Sequence, residues 1–288
     1  MTDRSDEIDD VIEREVGARP VSRSRVSGGD VAEASRVELD DGRLLFVKTH
    51  ANPPEGFFTT EANGLDWLHE AGAVRVPEVL AVSDDPPFLA LEWIDEGSSR
   101  PDTEPTLGRA LAALHRAGAP SFGREDRRTT GSRGLPNDPC DSWVEFYATR
   151  RLVPLARMAQ DQGALERSTV RTLDLATERL DDLCGDPEPP ARLHGDLWAG
   201  NRLVDVEGEN WLIDPAAFGG HREFDLAMMR LFGGYGDACF AEYQAAFPLA
   251  DGWQSRVPLH QLAPLVVHAI KFGGPYPQAV ERALGQLT

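Results

Sequence analysis

Three polar side chains stand close together in the sequence, within HGDLWAGN and the WLIDP segment that follows it. Asp196 is followed after five residues by Asn201, and after a further thirteen by Asp214. Phosphoryl transfer needs a carboxylate that orients the acceptor hydroxyl and oxygen ligands that hold Mg²⁺ against the phosphates. We therefore predict that Asp196 accepts the proton of an acceptor hydroxyl and that Asn201 and Asp214 bind Mg²⁺.

A β-hairpin between the two predicted metal ligands explains their spacing. The segment RLVDVEGENWLID has two apolar runs separated by Glu-Gly-Glu-Asn, a pattern that predicts a turn. Such a hairpin would return Asp214 to the side of Asn201. Each residue alone has a plainer interpretation, because Asp196 could cap a helix and Asn201 and Asp214 are common turn residues. The three together favour the phosphoryl-transfer site.

The cation that the phosphates need is predicted on an earlier strand. Lys48 closes the apolar segment RLLFVK and is one of only two lysines in the chain, with Lys271. Glu61 follows thirteen residues later, in FFTTEANGLDWLHEAGA, which is typical of a helix. We expect Glu61 to form an ion pair with Lys48 and to aim its ammonium at the phosphates of ATP.

Two further backbone sites are predicted for the nucleotide. Gly28 and Gly29, after Ser27, are interpreted as the turn that covers the phosphates, although a Gly pair is often only a hairpin turn. The backbone groups of Glu92 and Ile94, in the segment LEWI, are expected to pair with adenine.

The elements that position these residues fall into two parts. Residues 1–95 contain an amphipathic helical pattern and several apolar strands around one long helix, and EGSSRPDTEP then interrupts the pattern. The remainder is mostly helical in pattern. We predict an α+β fold of two lobes: an N-terminal ATP-binding lobe with an antiparallel sheet (1–95), and a larger helical lobe (96–288) for catalysis and acceptor binding.

The composition excludes several partners. The formal net charge of −19 disfavours nucleic acid and anionic membranes. The sequence has no apolar run long enough for a membrane span and no signal-peptide pattern, so we expect a cytoplasmic protein. An acidic, lysine-poor composition suggests a halophilic source, or only a GC-rich genome. The three cysteines show no metal-binding spacing.

A metal-dependent hydrolase is the alternative reading of the same segment. Its ligands would be His194, Asp196, Asp214, His221 and Asp225, since H-x-D can bind zinc or a metal pair. We disfavour it because no third histidine is near in sequence and a hydrolase would not need the β-rich lobe. Asp225 is instead expected to hold the catalytic loop by accepting backbone N–H groups.

HGDLWAGN, followed by IDPAAFGGHREFDLAMMRLFGG, resembles the fructosamine kinase (ketosamine-3-kinase) family. This family belongs to a protein-kinase-like superfamily with aminoglycoside phosphotransferases and choline kinases. HGD-x-x-x-x-N and the later IDP are shared by the whole superfamily. The Trp after HGDL and the GHRE-x-DLAM segment are typical of the fructosamine kinase branch. The resemblance extends over nearly the full chain, from GGD and FVK to FGGPY.

The resemblance implies ATP- and Mg²⁺-dependent phosphorylation of the O3 hydroxyl of a ketosamine, an amine that carries a ketose such as ribulose or fructose. The product then breaks down and frees the amine, which amounts to deglycation and protein repair. The roles predicted above for Asp196, Asn201, Asp214, Lys48 and Glu61 are those that the resemblance implies.

The resemblance also implies that Trp198 lines the sugar site, although it could simply pack the loop, and that His221 and Arg222 face the acceptor. Two alternatives stay open: a related kinase that acts on an aminoglycoside or choline, and a pseudokinase that only binds nucleotide. The ketose, the free or protein-bound state of its amine and the oligomeric state are also open at this point.

Overall fold

The structure is a computed structural model that describes residues 4–26, 32–125 and 134–287. The strands are β1 (Pro20–Val26), β2 (Glu33–Leu39), β3 (Leu44–Thr49), β4 (Val79–Asp84), β5 (Pro87–Glu92), β6 (Ala191–Leu193), β7 (Arg202–Val204), β8 (Asn210–Leu212) and β9 (Phe218–Gly220). The α-helices are α1 (Arg4–Val16), α2 (Phe57–Glu70), α3 (Thr103–Ala117), α4 (Trp143–Phe146), α5 (Val153–Asp161), α6 (Arg167–Glu178), α7 (Leu180–Leu183), α8 (Glu223–Phe232), α9 (Asp237–Ala246), α10 (Trp253–Phe272) and α11 (Tyr276–Gly285).

The described residues form two compact units. The first unit comprises the chain up to Thr103 together with Asn201–Ala217. The second unit contains most of the remainder, including Leu135–Gly200 and the chain from Phe218 onward. The β7–β8 hairpin therefore belongs to the first unit, although it lies far along the chain from the other strands of that unit.

The first unit is built on an antiparallel sheet in the order β1-β2-β3-β5-β4. Side chains alternate between the two faces of a strand, so Leu45 and Val47 of β3 point to one face and Lys48 to the other. Leu45 and Val47 pack with Ile8 and Ile12 of α1 in one buried cluster. Lys48 is thereby directed to the opposite face of the sheet.

The second unit is organised around α10, which packs against α5, α8 and α11. A cluster of aromatic rings fills the core where α4 passes through a π-helical turn (Tyr147–Leu152) into α5. Trp143 stacks on Tyr147 with 4.9 Å between ring centroids and an interplanar angle of 18°. Burial of large aromatic rings supplies most of the hydrophobic stabilisation that such a helical unit can gain.

The architecture confirms the predicted α+β fold with an antiparallel sheet in the N-terminal region and a helical C-terminal part. The predicted hairpin is confirmed as β7 and β8, which pair in antiparallel register. The short β6–β9 pair was not expected, because three-residue strands give almost no sequence pattern. The lobe boundary at residues 95 and 96 and the function of each lobe stay predictions. No helix in the described part of the chain is long and apolar enough to cross a membrane.

Candidate active site

Lys48 is held between two carboxylates within the first unit. Its Nζ lies 2.6 Å from Oε1 of Glu61 on α2, and the same ammonium contacts Oδ1 of Asp214 after β8. The predicted Lys48–Glu61 ion pair is therefore present, and both side chains are buried. Asp214 is the more accessible partner, with 39% of its side chain exposed.

Electrostatics keep the Lys48 ammonium charged. Burial alone would lower the pKa of Lys48, but the negative charges of Glu61 and Asp214 outweigh it and raise the pKa above its ordinary value. Burying a charge without such partners is very costly. The fixed ammonium is thus a permanent positive charge beside the Asp214 carboxylate.

The hairpin brings Asp214 to Asn201 as predicted. The Ile213 N–H donates to the Asn201 carbonyl at 3.0 Å, and the Asn201 amide Nδ2 donates to the Asp214 carbonyl at 3.4 Å. Asp214 has φ 53°, and among the described residues it is the only non-glycine with positive φ. Strained backbone of this kind concentrates at functional sites, because the surrounding structure must hold it in place.

The backbone sites predicted for the nucleotide are only partly covered by the described residues. Gly28 and Gly29, with Ser27, lie outside the described residues. Glu92 ends β5, and its N–H already donates to the Glu78 carbonyl at 2.9 Å, so this N–H is not available to adenine. Ile94 follows β5 by two residues.

The loop that carries Asp196 belongs to the second unit and is anchored by Asp225. Asp225 lies on α8 and is fully buried. Its two carboxylate oxygens accept the N–H of His194 at 2.8 Å and the N–H of Gly195 at 2.9 Å. The Asp196 N–H lies 3.3 Å from Nδ1 of His194. This confirms the prediction that Asp225 holds the catalytic loop through backbone groups.

Trp198 lies two residues beyond Asp196 and is 40% exposed, which is unusual for so large an apolar ring. It meets Phe232 edge to face, with 6.2 Å between ring centroids. The ring also covers Gly200 so closely that a Cβ at Gly200 would lie 2.3 Å from it. An exposed aromatic face beside Asp196 suits an acceptor surface.

His221 and Arg222 do not lie on such a surface. Arg222 is 4% exposed and forms two bonds to the Glu188 carboxylate, at 2.7 and 2.8 Å. It also donates to the carbonyls of Phe247 and Pro248, both at 2.8 Å. His221 is buried and stacks on His260. The burial of both side chains favours a packing role over the acceptor contact expected from the resemblance, and that contact stays a prediction.

A buried ion pair missed by the sequence analysis lies at the start of α8. Arg256 on α10 donates to both oxygens of Glu223, at 2.6 and 2.9 Å, and Nε2 of His260 lies 3.4 Å from Glu223 Oε2. Burial acts to raise the pKa of Glu223, but His260 and Arg256 outweigh it and lower the pKa to about 2. Glu223 and Arg256 are 33 residues apart, so no local spacing in the sequence predicts this pair.

These contacts also decide the metal-hydrolase alternative. In the described part of the chain, one group of His, Cys, Asp or Glu donors is close enough to hold a metal: His221, Glu223 and His260. It contains neither Asp196 nor Asp214. Arg256 already occupies both Glu223 oxygens, and His221 Nδ1 accepts the Glu223 N–H at 3.3 Å, which places the ring proton on Nε2. The hydrolase alternative therefore has no support among the described residues.

Comparison with known proteins identifies the family of the chain. The family model for fructosamine kinase matches residues 4–288. A probable ketoamine kinase of Enterococcus faecium is 34% identical over 265 residues, covering 90% of this chain and 92% of that protein. The chloroplastic protein-ribulosamine 3-kinase of Arabidopsis thaliana is 32% identical over 259 residues, covering 87% and 78%.

Solved structures give the same result. A crystal structure of a candidate fructosamine-3-kinase from Thermobifida fusca has a TM-score of 0.91 and 41% identity, and covers 97% of this chain and 98% of that one. Structures of an aminoglycoside phosphotransferase and a choline kinase share the fold alone, at 14% identity. The fold is that of a kinase. The chain belongs to the fructosamine kinase family.

The buried pair predicts a pH-dependent contribution to stability. Because the pKa of Glu223 is about 2 in the folded protein and 4.5 ordinarily, its contribution is complete above pH 4.5 and is lost as the pH falls toward 2. We expect Glu223→Gln to lower the free energy of unfolding by roughly 3 kcal/mol at pH 7, because it leaves Arg256 buried without a charge partner. Urea unfolding between pH 7 and pH 3 measures both effects.

The exposed Arg109–Glu242 pair is the matched control for the buried Arg256–Glu223 pair. Its charged atoms lie 2.7 Å apart, and about half of each side chain is exposed. Glu242→Gln should change stability by less than about 1 kcal/mol. The difference in the free energy of unfolding between the wild type and Glu223→Gln should become smaller as the pH falls. A difference that is constant with pH would contradict the lowered pKa of Glu223.

Proposed function

We propose that this chain is an ATP-dependent kinase that transfers a phosphoryl group to the O3 hydroxyl of a ketosamine. The observation that carries the proposal is the buried Lys48–Glu61 pair held at Asp214, in a chain that belongs to the fructosamine kinase family. A charged lysine beside an accessible carboxylate is the arrangement that a triphosphate with its metal ion requires.

The first unit supplies the nucleotide site. The accessible Asp214 carboxylate and the Asn201 amide offer hard oxygen atoms, the donors that Mg²⁺ prefers. When bound, Mg²⁺ neutralises charge on the phosphates of ATP. Lys48 adds the second positive charge, and Glu61 prevents it from turning away. In this proposal the Glu92 carbonyl and the Ile94 N–H receive the adenine edge.

The second unit supplies the group that orients the acceptor. Asp196 accepts the hydrogen of the acceptor hydroxyl. This bond orients the hydroxyl oxygen for attack on the transferred phosphoryl group. A carboxylate is far too weak a base to ionise an alcohol in the ground state, so its role is chiefly positional until charge develops in the transition state. The bonds from Asp225 to the loop therefore matter, because positioning is what the loop contributes.

Trp198 is proposed to contact the sugar. The apolar face of a sugar ring or chain packs well against an indole, and this indole is exposed beside Asp196. Ribulosamines and fructosamines, as free adducts or on protein lysines, are the acceptor class. Removal of the phosphorylated sugar would free the amine and so repair a glycated protein. A cytoplasmic location and a halophilic source stay predictions.

Substitution separates the orienting role of Asp196 from the metal-binding role of Asp214. Asp196→Asn should reduce kcat roughly a thousandfold while ATP still binds, because the lost interaction belongs to the transition state. Asp214→Ala should abolish the Mg²⁺-dependent part of nucleotide binding as well. ADP release and calorimetric titration with ATP measure these effects. Glu207→Gln, an exposed carboxylate on the same hairpin, is the control and should behave as the wild type. Near-normal turnover by Asp196→Asn would show that another group orients the hydroxyl.

Gly200→Ala tests the position of Trp198. The added Cβ would meet the indole at 2.3 Å and displace it, whereas Gly285→Ala meets nothing within 4 Å and serves as control. We expect Gly200→Ala to raise the KM for the ketosamine about tenfold, leaving the KM for ATP unchanged, since about 1.4 kcal/mol of binding corresponds to a factor of ten. An unchanged ketosamine KM, with a shifted Trp198 fluorescence, would assign Trp198 to loop packing.

Acceptor identity is tested directly with a panel. ADP release from Mg²⁺-ATP is measured in molar KCl with ribulose-lysine, fructose-lysine, choline and an aminoglycoside. We expect turnover on the two ketosamines alone, and their kcat/KM values rank the two sugars. Turnover only on choline or the aminoglycoside would keep the kinase site but change the substrate class. ATP binding without turnover on any of the four would point to a pseudokinase.

A further inference from the structure

A buried hydrogen-bond chain within the second unit runs from α9 to the loop that carries Asp196. The hydroxyl of Tyr243 on α9 lies 2.8 Å from Nδ1 of His115 on α3. Nε2 of His115 lies 3.4 Å from Oδ2 of Asp225. The same Oδ2 accepts the His194 N–H at 2.8 Å, and Oδ1 accepts that of Gly195 at 2.9 Å.

Burial makes each of these groups depend on the next. The exposed fractions of Tyr243, His115 and Asp225 are 1%, 2% and 0%. A buried polar group that loses its partner costs about 1–3 kcal/mol, because water cannot replace the bond. The three side chains come from α3, α8 and α9, so the chain of bonds ties three helices to one loop.

The Asp225 carboxylate sets the direction of the hydrogen bonds in this chain. It accepts a backbone N–H at each oxygen, and a carboxylate can only accept, so His115 donates to it from Nε2. Neutral His115 then carries its lone pair on Nδ1. Tyr243 therefore gives its own hydrogen to His115.

The consequence for His115 is one tautomer. Its Nδ1 accepts from Tyr243, so its ring hydrogen lies on Nε2 and points at the Asp225 carboxylate. Burial raises the pKa of Tyr243, which keeps the phenol protonated and able to donate. Asp225 then accepts three hydrogens, from His115 and from the backbone of His194 and Gly195.

We propose that Tyr243 and His115 are positioning residues for phosphoryl transfer. The Tyr243 hydroxyl fixes the Nε2–H tautomer of His115, this N–H holds the Asp225 carboxylate in place, and Asp225 in turn sets the backbone that carries Asp196. The effect on turnover rests on the proposed function, because it assumes that Asp196 orients the acceptor hydroxyl.

Two substitutions of His115 provide the sharpest kinetic test. The amide nitrogen of Gln replaces Nε2 and can still donate to Asp225, whereas the shorter Asn reaches only the Tyr243 side and leaves Asp225 without this donor. We expect kcat to fall about threefold in His115→Gln and about thirtyfold in His115→Asn, in keeping with a buried bond of 1–3 kcal/mol. The KM for ATP should be unchanged in both. Equal kcat values for the two folded variants would overturn the proposal.

Tyr243→Phe, with Tyr147→Phe as its matched control, separates positioning from stability. Tyr147 is equally buried, and its hydroxyl donates to the Leu259 carbonyl at 2.8 Å and accepts the Ala263 N–H at 3.3 Å, away from the loop. Both variants should lose about 1 kcal/mol of folding free energy. Only Tyr243→Phe should lower kcat, by about tenfold. A similar loss of kcat in Tyr147→Phe would show that lowered stability alone accounts for the effect.

Nitrogen-15 NMR of the protein tests the chain without turnover. The His115 imidazole, identified by its loss in His115→Gln, should be the Nε2–H tautomer, and the Gly195 amide should shift in Tyr243→Phe but not in Tyr147→Phe. An Nδ1–H tautomer or an unmoved Gly195 amide would overturn the proposal, even if a substitution of His115 failed to fold. If the wild type phosphorylates no ketosamine, the proposed function fails, and these NMR measurements still decide the positioning chain.

Discussion

The arrangement of the first unit depends on the buried ammonium of Lys48. A lone charge at this depth would lose its hydration without compensation, so the fold must bring carboxylates to it. Glu61 reaches it from α2, and Asp214 reaches it from a hairpin that follows 166 residues later in the chain. The cost of an unpaired Lys48 therefore fixes the positions of a helix and a hairpin together, and both of them belong to the proposed nucleotide site.

The same constraint operates in the second unit with the sign of the charge reversed. Asp225 is a fully buried carboxylate, and backbone N–H groups of the catalytic loop are among its donors. A displaced loop would remove two of the hydrogen bonds to this charge, which is more costly than leaving a neutral group unbonded. Loops are ordinarily the most mobile parts of a protein, and here a buried charge gives one of them the rigidity of the core.

The sequence was most informative where chemistry and local structure coincide. The spacing of Asp196, Asn201 and Asp214 required a hairpin, and the alternation of apolar residues around EGEN predicted it correctly. The pairing of Lys48 with Glu61 followed from a strand end, a helix and the scarcity of lysine. In each case the information lies within a short stretch, which hydrophobic pattern and turn chemistry can describe.

The sequence was uninformative where partners are distant. His115 and Tyr243 are 128 residues apart, and only the packing of α3 against α9 brings them together. The burial of Arg222 was equally hidden, because an arginine in a polar segment gives no sign of burial. Its partner, Glu188, lies 34 residues earlier in a Pro-rich segment, and no periodicity connects the two. The roles assigned to individual site residues stay predictions until they are tested by substitution.

The burial of Arg222 agrees with the chemistry of the proposed acceptor. A ketosamine contains a secondary amine, which is protonated and positively charged at neutral pH. A free arginine at the acceptor surface would repel it, and by Coulomb's law the repulsion at 4 Å reaches about 4 kcal/mol at a protein surface. Glu188 neutralises Arg222 inside the fold, so the arginine does not oppose the substrate.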